Sequence, residues 1–281
     1  MKALPKGQSH LLRYLIPAIL VLFTNSLFAT GLESRLALRG DFIQGGLVIV
    51  RSSIEVKTAK LGTVKLPIHA NKTLFVFGFG RDAKSTDTLV VEFKDGERLT
   101  KTFEITQRKY KIDRVEGVAR KYVSPPESVL SRIRNDGKLV ADARAQLSFR
   151  LDFTEQAIQP AQGRISGVYG SQRIFNGVPK RPHFGMDIAA PTGTQVVAPL
   201  PGKVVLAEPD LYYSGGTLIV DHGLGVTSTY IHLSKLHVKV GDEIQQGQLI
   251  AEIGATGRVT GPHLDWRLNW FKRRLDPQLL L

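Results

Sequence analysis

From residue 30 to about 110, short apolar segments are cut at close intervals by Gly, Asp or Lys clusters. FIQGGLVIVRS, TVKLPIHA, KTLFVFGFG, DTLVVEF and LTKTFEITQ are rich in Val, Ile, Phe and Thr, and none is long enough for an amphipathic helix. Asp95-Gly96 tolerates positive φ and marks a hairpin. Strands at this spacing predict a small β-sandwich-like unit over residues 30–115. His69 stands alone in it, and a lone histidine reads as structural.

A connector over residues 116–159 follows. Ser124-Pro125-Pro126-Glu127 has the form of a helix start, with Ser124 as cap, prolines in the first turn and Glu127 three residues on. Val129, Leu130, Ile133, Leu139 and Val140 recur between charges, so a weakly amphipathic helix is expected up to about Ala145, interrupted at Asn135-Asp136-Gly137. From Pro160 onward Gly and Pro become dense and the strands are again short. The expected architecture is therefore mainly β, with a second β-rich, barrel-sandwich-like domain over residues 160–281.

The chain of 281 residues is 42% apolar, enough to bury a core, and has no cysteine. Disulfides, thiolate metal sites and a cysteine nucleophile are excluded, and any metal must be held by His, Asp, Glu or carbonyl oxygen. At the N-terminus Lys2, Lys6 and Arg13 precede an apolar run from Tyr14 to Phe23, and Leu27-Phe28-Ala29 follows. This is a secretory signal pattern over residues 1–29, too short to span a bilayer comfortably, with cleavage expected after Ala29 and an uncleaved anchor as the alternative. The expected location is the periplasm, with no stable membrane anchor after cleavage. The net charge is +13, and removal of residues 1–29 takes away three cations and no acid, leaving +10. Such a surface attracts polyanions. Nucleic acid is not expected, because no recognition motif appears.

Polar residues with chemical potential gather in the second half. In RPHFGMD, His183 and Asp187 are four apart. Pro182 and Gly185 argue against a helix there, and on an extended segment the two also share a face. In GPHLDW, His263 and Asp265 share a face while Leu264 and Trp266 turn to the core. In STYIHLS, His232 is expected on one face with Tyr230. His222 reads as a turn residue and His237 as part of a charged loop. Each residue alone is compatible with a solvated strand edge, but in same-face pairs within one Gly-rich domain they form a candidate site.

Two resemblances follow from these segments. The form V-x-x-G-D-x-I-x-x-G-Q-x-I in HVKVGDEIQQGQLIAEIG is similar to lipoyl- and biotin-carrier domains, but no modifiable lysine stands at a hairpin tip. RPHFGMDIAAPTGTQVVAP, STYIHLSKL and ATGRVTGPHLDW together resemble the three blocks of the M23 family, the LytM-type zinc metallopeptidases of bacterial cell walls. The resemblance implies a LytM-type domain over residues 160–281 that binds one Zn2+ through His183, Asp187 and Asp265. It implies His232 and His263 as catalytic residues, and a groove lined by Tyr169 and Arg173. Asp265 stands where the family has a second histidine. A carboxylate binds zinc as well as an imidazole does, but the extra negative charge would make the ion a weaker Lewis acid and admit Mn2+ more readily. The implied function is a zinc-dependent endopeptidase cleaving peptide cross-links or stems of peptidoglycan. Two non-catalytic alternatives are a regulator that activates a cell-wall amidase or another divisome or elongation partner, and a plain wall-binding module.

Overall fold

The computed structural model describes residues 34–118 and 120–281, so the expected signal segment lies outside the described residues. The first half supplies β1 (Leu36–Gly40), β2 (Leu47–Ser52), β3 (Val56–Leu61), β4 (Val64–Lys65), β5 (Leu74–Gly78), β6 (Thr86–Phe93) and β7 (Arg98–Glu104). They form two sheets, ordered β1-β2-β5 and β4-β3-β6-β7, closed over Val48, Val50, Phe75, Phe77, Leu89, Val91 and Phe93. The β6–β7 hairpin turns at Asp95-Gly96, with Gly96 at φ 89°. The alternation of apolar and polar residues expected of a half-solvated strand is seen in β3 and β7 but not in β5, which is buried throughout. The reason is a third layer. Leu224, Val226, Leu268, Trp270 and Leu275 from the second half belong to the same apolar cluster as the sandwich residues.

β8 (Ile112–Val115) closes the first half, and the connector contributes α1 (Arg120–Val123) and α2 (Leu130–Ala145). Two expectations are corrected here. The helix runs unbroken through Asn135-Asp136-Gly137, because Asp136 turns outward to accept the Tyr212 N–H at 2.7 Å, and Val140 and Ala143 pack on Leu206, Leu211 and Ile219. That tertiary packing outweighs the roughly 1 kcal/mol penalty of a mid-helix glycine. Nor does Ser124 cap the helix. Its N–H closes α1 on Arg120 O, and a 3-10 turn over Glu127–Val129 leads into α2 from Pro126 without a side-chain cap.

The second half adds β9 (Arg164–Gly167), β10 (Gln172–Phe175), β11 (Val178–Pro179), β12 (Met186–Ala189), β13 (Gln195–Val197), β14 (Gly202–Leu211), β15 (Gly215–Gly223), β16 (Val226–Leu236), β17 (Glu243–Ile244), β18 (Leu249–Ile253), β19 (His263–Trp270) and β20 (Arg273–Leu275). The main sheet is ordered β17-β14-β15-β16-β19-β12-β9, with β13 and β18 folded against it. One face of β12, β16 and β19 carries Met186, Ile188, Tyr230, Leu264 and Trp266 into a core with Val204, Leu218 and Ile250. The opposite face carries the polar residues. β8, at the end of the first half, crosses to pair in parallel with β10, so residues of the first half reach the polar face. Among the described residues no helix is long and apolar enough to cross a membrane.

Leu275 joins the two halves, since a Cβ placed on Gly78 would lie 2.7 Å from its methyl carbons. Leu275→Ala is expected to cost about 2–5 kcal/mol, the range for deleting a buried leucine. Chemical denaturation should show both halves losing stability in one transition.

Candidate metal centre

Antiparallel register sets the site. Asp187 of β12 stands directly opposite Asp265 of β19, and Ile231 of β16 opposite Asp265 on its other side. His183 enters from the loop that precedes β12. Its Nε2 lies 3.2 Å from Asp187 Oδ1 and its Nδ1 lies 3.9 Å from Asp265 Oδ2. One donor atom from each of His183, Asp187 and Asp265 lies within 4.8 Å of the other two, and all three residues are buried. Two glycines make room. A Cβ on Gly167 would lie 2.3 Å from Asp187 Oδ2, and one on Gly185 would lie 2.2 Å from Asp265 Oδ1.

Both ring nitrogens of His183 and Oδ1 of Asp187 are buried without a hydrogen-bond partner. Buried polar atoms are almost always paired, so an unpaired imidazole nitrogen of His183 and the unpaired Oδ1 of Asp187 fit a cation that takes one lone pair from each residue. The donor set of one imidazole and two carboxylates, with no sulfur, suits zinc and also admits manganese.

Two imidazoles stand beside this cluster. His263 Nδ1–H donates to Gly261 O at 2.9 Å, and its Nε2 lies 3.8 Å from Asp187 Oδ1. His232 Nδ1–H donates to Thr256 O at 2.8 Å, and the two rings are 4.8 Å apart. The backbone acceptors leave Nε2 as the free, basic nitrogen of both rings. Burial pushes His232 down to about 3, with Asp265 opposing and His263 reinforcing the shift, so His232 is neutral at physiological pH.

The route by which His232 arrives differs from expectation. Tyr230 does not share its face. Tyr230 is buried in the core opposite Trp266, whereas His232 lies on the polar side next to Ile231. Alternation breaks because His232 adopts φ 69°, with its N–H bonded to Ser214 O, so two successive side chains of β16 leave the core. A left-handed backbone in a residue other than glycine is strained, and such strain concentrates at functional sites.

Arginines balance the carboxylates. Arg267 Nε donates to Asp265 Oδ1 at 2.9 Å and Nη2 to Oδ2 at 2.6 Å, while Arg173 Nη2 donates to Asp187 Oδ2. Burial alone would raise Asp265, but the attraction of Arg267, then of His183, holds it well below the usual carboxylate range. Asp187 is likewise lowered, against burial and the repulsion of Asp265, by His183 and Arg173. The two guanidinium charges cancel the two carboxylate charges. Arg267, paired with both oxygens of Asp265, offsets the negative charge that this second carboxylate brings.

The sequence-derived residues separate into two groups. His183, Asp187, His232, His263 and Asp265 are brought together. Arg173 borders the cleft as expected and also pairs with Asp187. Tyr169 does not line a groove. It is 1% exposed, its hydroxyl donates to Arg274 O at 2.8 Å, and Tyr110 and Phe184 pack on its ring. His222 is fully buried at the end of β15, bonded to Pro201 O and Ser228, and His237 pairs with Glu252. Arg267 escaped the sequence analysis, although its position two residues after Asp265 puts it on the same strand face. A cleft of about 440 Å³ opens on Asp187 and His263, and the β8 residues Ile112–Val115 form one of its walls.

Residues 181–277 match Peptidase family M23. Peptidoglycan DD-endopeptidase ShyA of Vibrio cholerae serotype O1 is 33% identical over 195 residues, which cover 68% of this chain and 41% of ShyA. ShyB of the same organism is 40% identical over 95 residues, 34% of this chain and 22% of ShyB. The chain thus spans less than half the length of these curated relatives. A crystal structure assigned to peptidase M23 from Pseudomonas aeruginosa superposes with a TM-score of 0.65 at 26% identity, covering 85% of this chain and 94% of that one.

Arg267→Met leaves a buried carboxylate unpaired and should destabilise the metal-free chain by about 3–5 kcal/mol. A dication can replace the lost guanidinium charge, so thermal melts with and without Zn2+ should show a larger stabilisation by zinc in this variant than in the parent. For His232, the unfolded chain binds a proton below about 6.5 and the folded chain only near about 3. Stability should therefore fall as pH drops through this window, by up to about 1.4 kcal/mol per pH unit from this group, and His232→Gln should flatten the slope.

Proposed function

Since residues 181–277 form a peptidase family M23 domain, we propose that this protein is a metal-dependent endopeptidase that cleaves peptide bonds in bacterial peptidoglycan outside the cytoplasm. One observation carries the reading. Unpartnered buried atoms of His183 and Asp187 converge with Asp265 beside two imidazoles whose Nε2 atoms are free. The relatives ShyA and ShyB, which bear the name peptidoglycan DD-endopeptidase, supply the substrate class. Five retained polar residues around one point also favour an enzyme over an amidase regulator, which needs no such set.

In this mechanism His183, Asp187 and Asp265 hold one zinc ion, or manganese in its place. When bound, the ion would supply Lewis acidity to the scissile carbonyl and to the attacking water. His263 Nε2, near Asp187 Oδ1, takes up the proton of the attacking water. His232, kept neutral by burial and with Nδ1–H held by Thr256 O, accepts a hydrogen bond from that water at Nε2 and orients it for attack. The protonated imidazole then delivers its proton to the leaving amine. Arg173 and Arg267 hold the two carboxylates in place throughout. Export follows from the signal-like residues 1–29, and the basic surface suits an anionic wall.

Purified sacculi test the proposal. The metal-loaded chain should release peptide-bearing fragments with about one zinc per chain. Chelation should abolish release, Asp265→Ala should lose the zinc, and His263→Ala should retain zinc while cutting the rate by at least about 10²-fold. A zinc-replete chain that releases nothing but stimulates an amidase would replace the enzyme with the regulator.

A further inference from the structure

A second cleft, of about 580 Å³, lies on the polar face between α2 and strands β16 and β19. Its walls are strongly cationic. Arg144, Lys180, Arg181, Arg258, Arg267 and Arg274 border it, against the single acid Asp136, which is held by the Tyr212 N–H. Asp265 is a carboxylate whose charge acts on Arg144, and Arg267 already occupies both of its oxygens.

Arg144 is the unusual member. It leaves the last turn of α2 and is 8% exposed. Its Nη2 donates to Thr229 Oγ1 at 2.8 Å, its Nε is buried without a partner, and among the described residues no carboxylate pairs with it. Burial, then repulsion from Arg274 and Arg267, pushes its guanidinium well below the ordinary arginine range. Arg274 is itself driven down to about 10 by burial and by Arg267 and Arg181. A buried guanidinium without a counter-charge is costly, and a stable fold ordinarily supplies an anion or excludes the residue.

Register ties this cleft to the metal centre. Thr229, which holds Arg144, stands opposite Arg267, and the next outward pair along the same strands is Ile231 opposite Asp265. Two strand residues separate the centres, roughly 7 Å. An extended peptide whose scissile bond lies at the metal centre therefore brings a group one or two residues away over Arg144. The planar fork of an arginine matches a carboxylate in particular.

We propose that this cleft is an anion subsite that binds a free carboxylate of the peptide substrate, with Arg144 as its central ligand. The identity of the bearer rests on the endopeptidase reading, whereas the anion preference does not. The subsite would select peptides by a carboxylate near the cleaved bond.

The test uses the full chain and matched peptides that carry either a free carboxylate or its carboxamide. Binding to the chelator-treated protein is followed by fluorescence anisotropy. The acid form should bind at least about tenfold tighter. Arg144→Gln should erase the difference, Arg144→Lys should restore part of it, and Lys138→Gln, an exposed change on the same helix, should leave it intact. Equal binding of acid and amide by the parent, or a preference that survives in Arg144→Gln, overturns the proposal. So does displacement of the acid peptide by inorganic phosphate at far lower concentration than by acetate, which would make phosphate the ligand. A merely structural Arg144 would instead lower Tm in Arg144→Gln without changing discrimination. Turnover by the metal-loaded chain separates the two readings. An acid peptide that binds selectively but is never cut leaves the subsite standing and removes the endopeptidase, and cleavage of both forms at equal efficiency with equal binding does the reverse.

Discussion

Two carboxylates stand directly opposite each other in neighbouring antiparallel strands, both buried. Like charges in that relation repel, and burial adds to the penalty. The fold tolerates Asp187 and Asp265 only because cationic and neutral donors are arranged around them. Arg173 takes one oxygen of Asp187, Arg267 takes both oxygens of Asp265, and His183 faces both residues. Gly167 and Gly185 are small because any side chain there would strike a carboxylate oxygen. The bulge at His232 brings a second imbalance, a strained backbone that turns an imidazole to the same point. These features are hard to explain as scaffolding and are coherent as a site for a dication.

The rigidity of the site comes from the opposite side of the sheet. Ile188, Tyr230, Leu264 and Trp266 alternate with the polar residues on the same strands and are fully buried. The two strand ligands, Asp187 and Asp265, are therefore flanked along the chain by anchored core residues, which fix their backbone. The sandwich of the first half contributes in the same way at a distance. It packs under β19 and β20 through Trp270 and Leu275, and its last strand, β8, crosses to border the cleft. The accessory half is thus part of the site's frame.

Substituting aspartate for the family's histidine looked, from the sequence, like a change of charge at the metal. In three dimensions Asp265 comes with a partner, Arg267. Asp265 with Arg267 presents an oxygen donor without net charge, and Arg267 also forms the near wall of the cationic cleft held by Arg144 and Arg274. One guanidinium thereby links the chemistry at the metal centre to the recognition of an anion beside it.

Much of this was legible in the sequence because it depends on local rules. Strand periodicity exposed the β-rich architecture and the Asp95-Gly96 hairpin, and spacings of two and four marked His263 with Asp265 and His183 with Asp187. What failed depended on contacts between distant segments. The helix passes through Gly137 because Tyr212 and the β14–β15 surface support it. Tyr169 is buried because Phe184, Tyr110 and the Arg274 carbonyl enclose it. Tyr230 and His232 part company because of a backbone angle that no residue type announces. Sequence by itself marked the candidate side chains His183, Asp187, His232, His263 and Asp265 and the β-rich half that bears them. Only tertiary structure decided how their charges are neutralised, because the pairing of Asp187 with Arg173 and the gathering of Arg144 beside Arg267 arise from sheet register and helix packing rather than from neighbours along the chain.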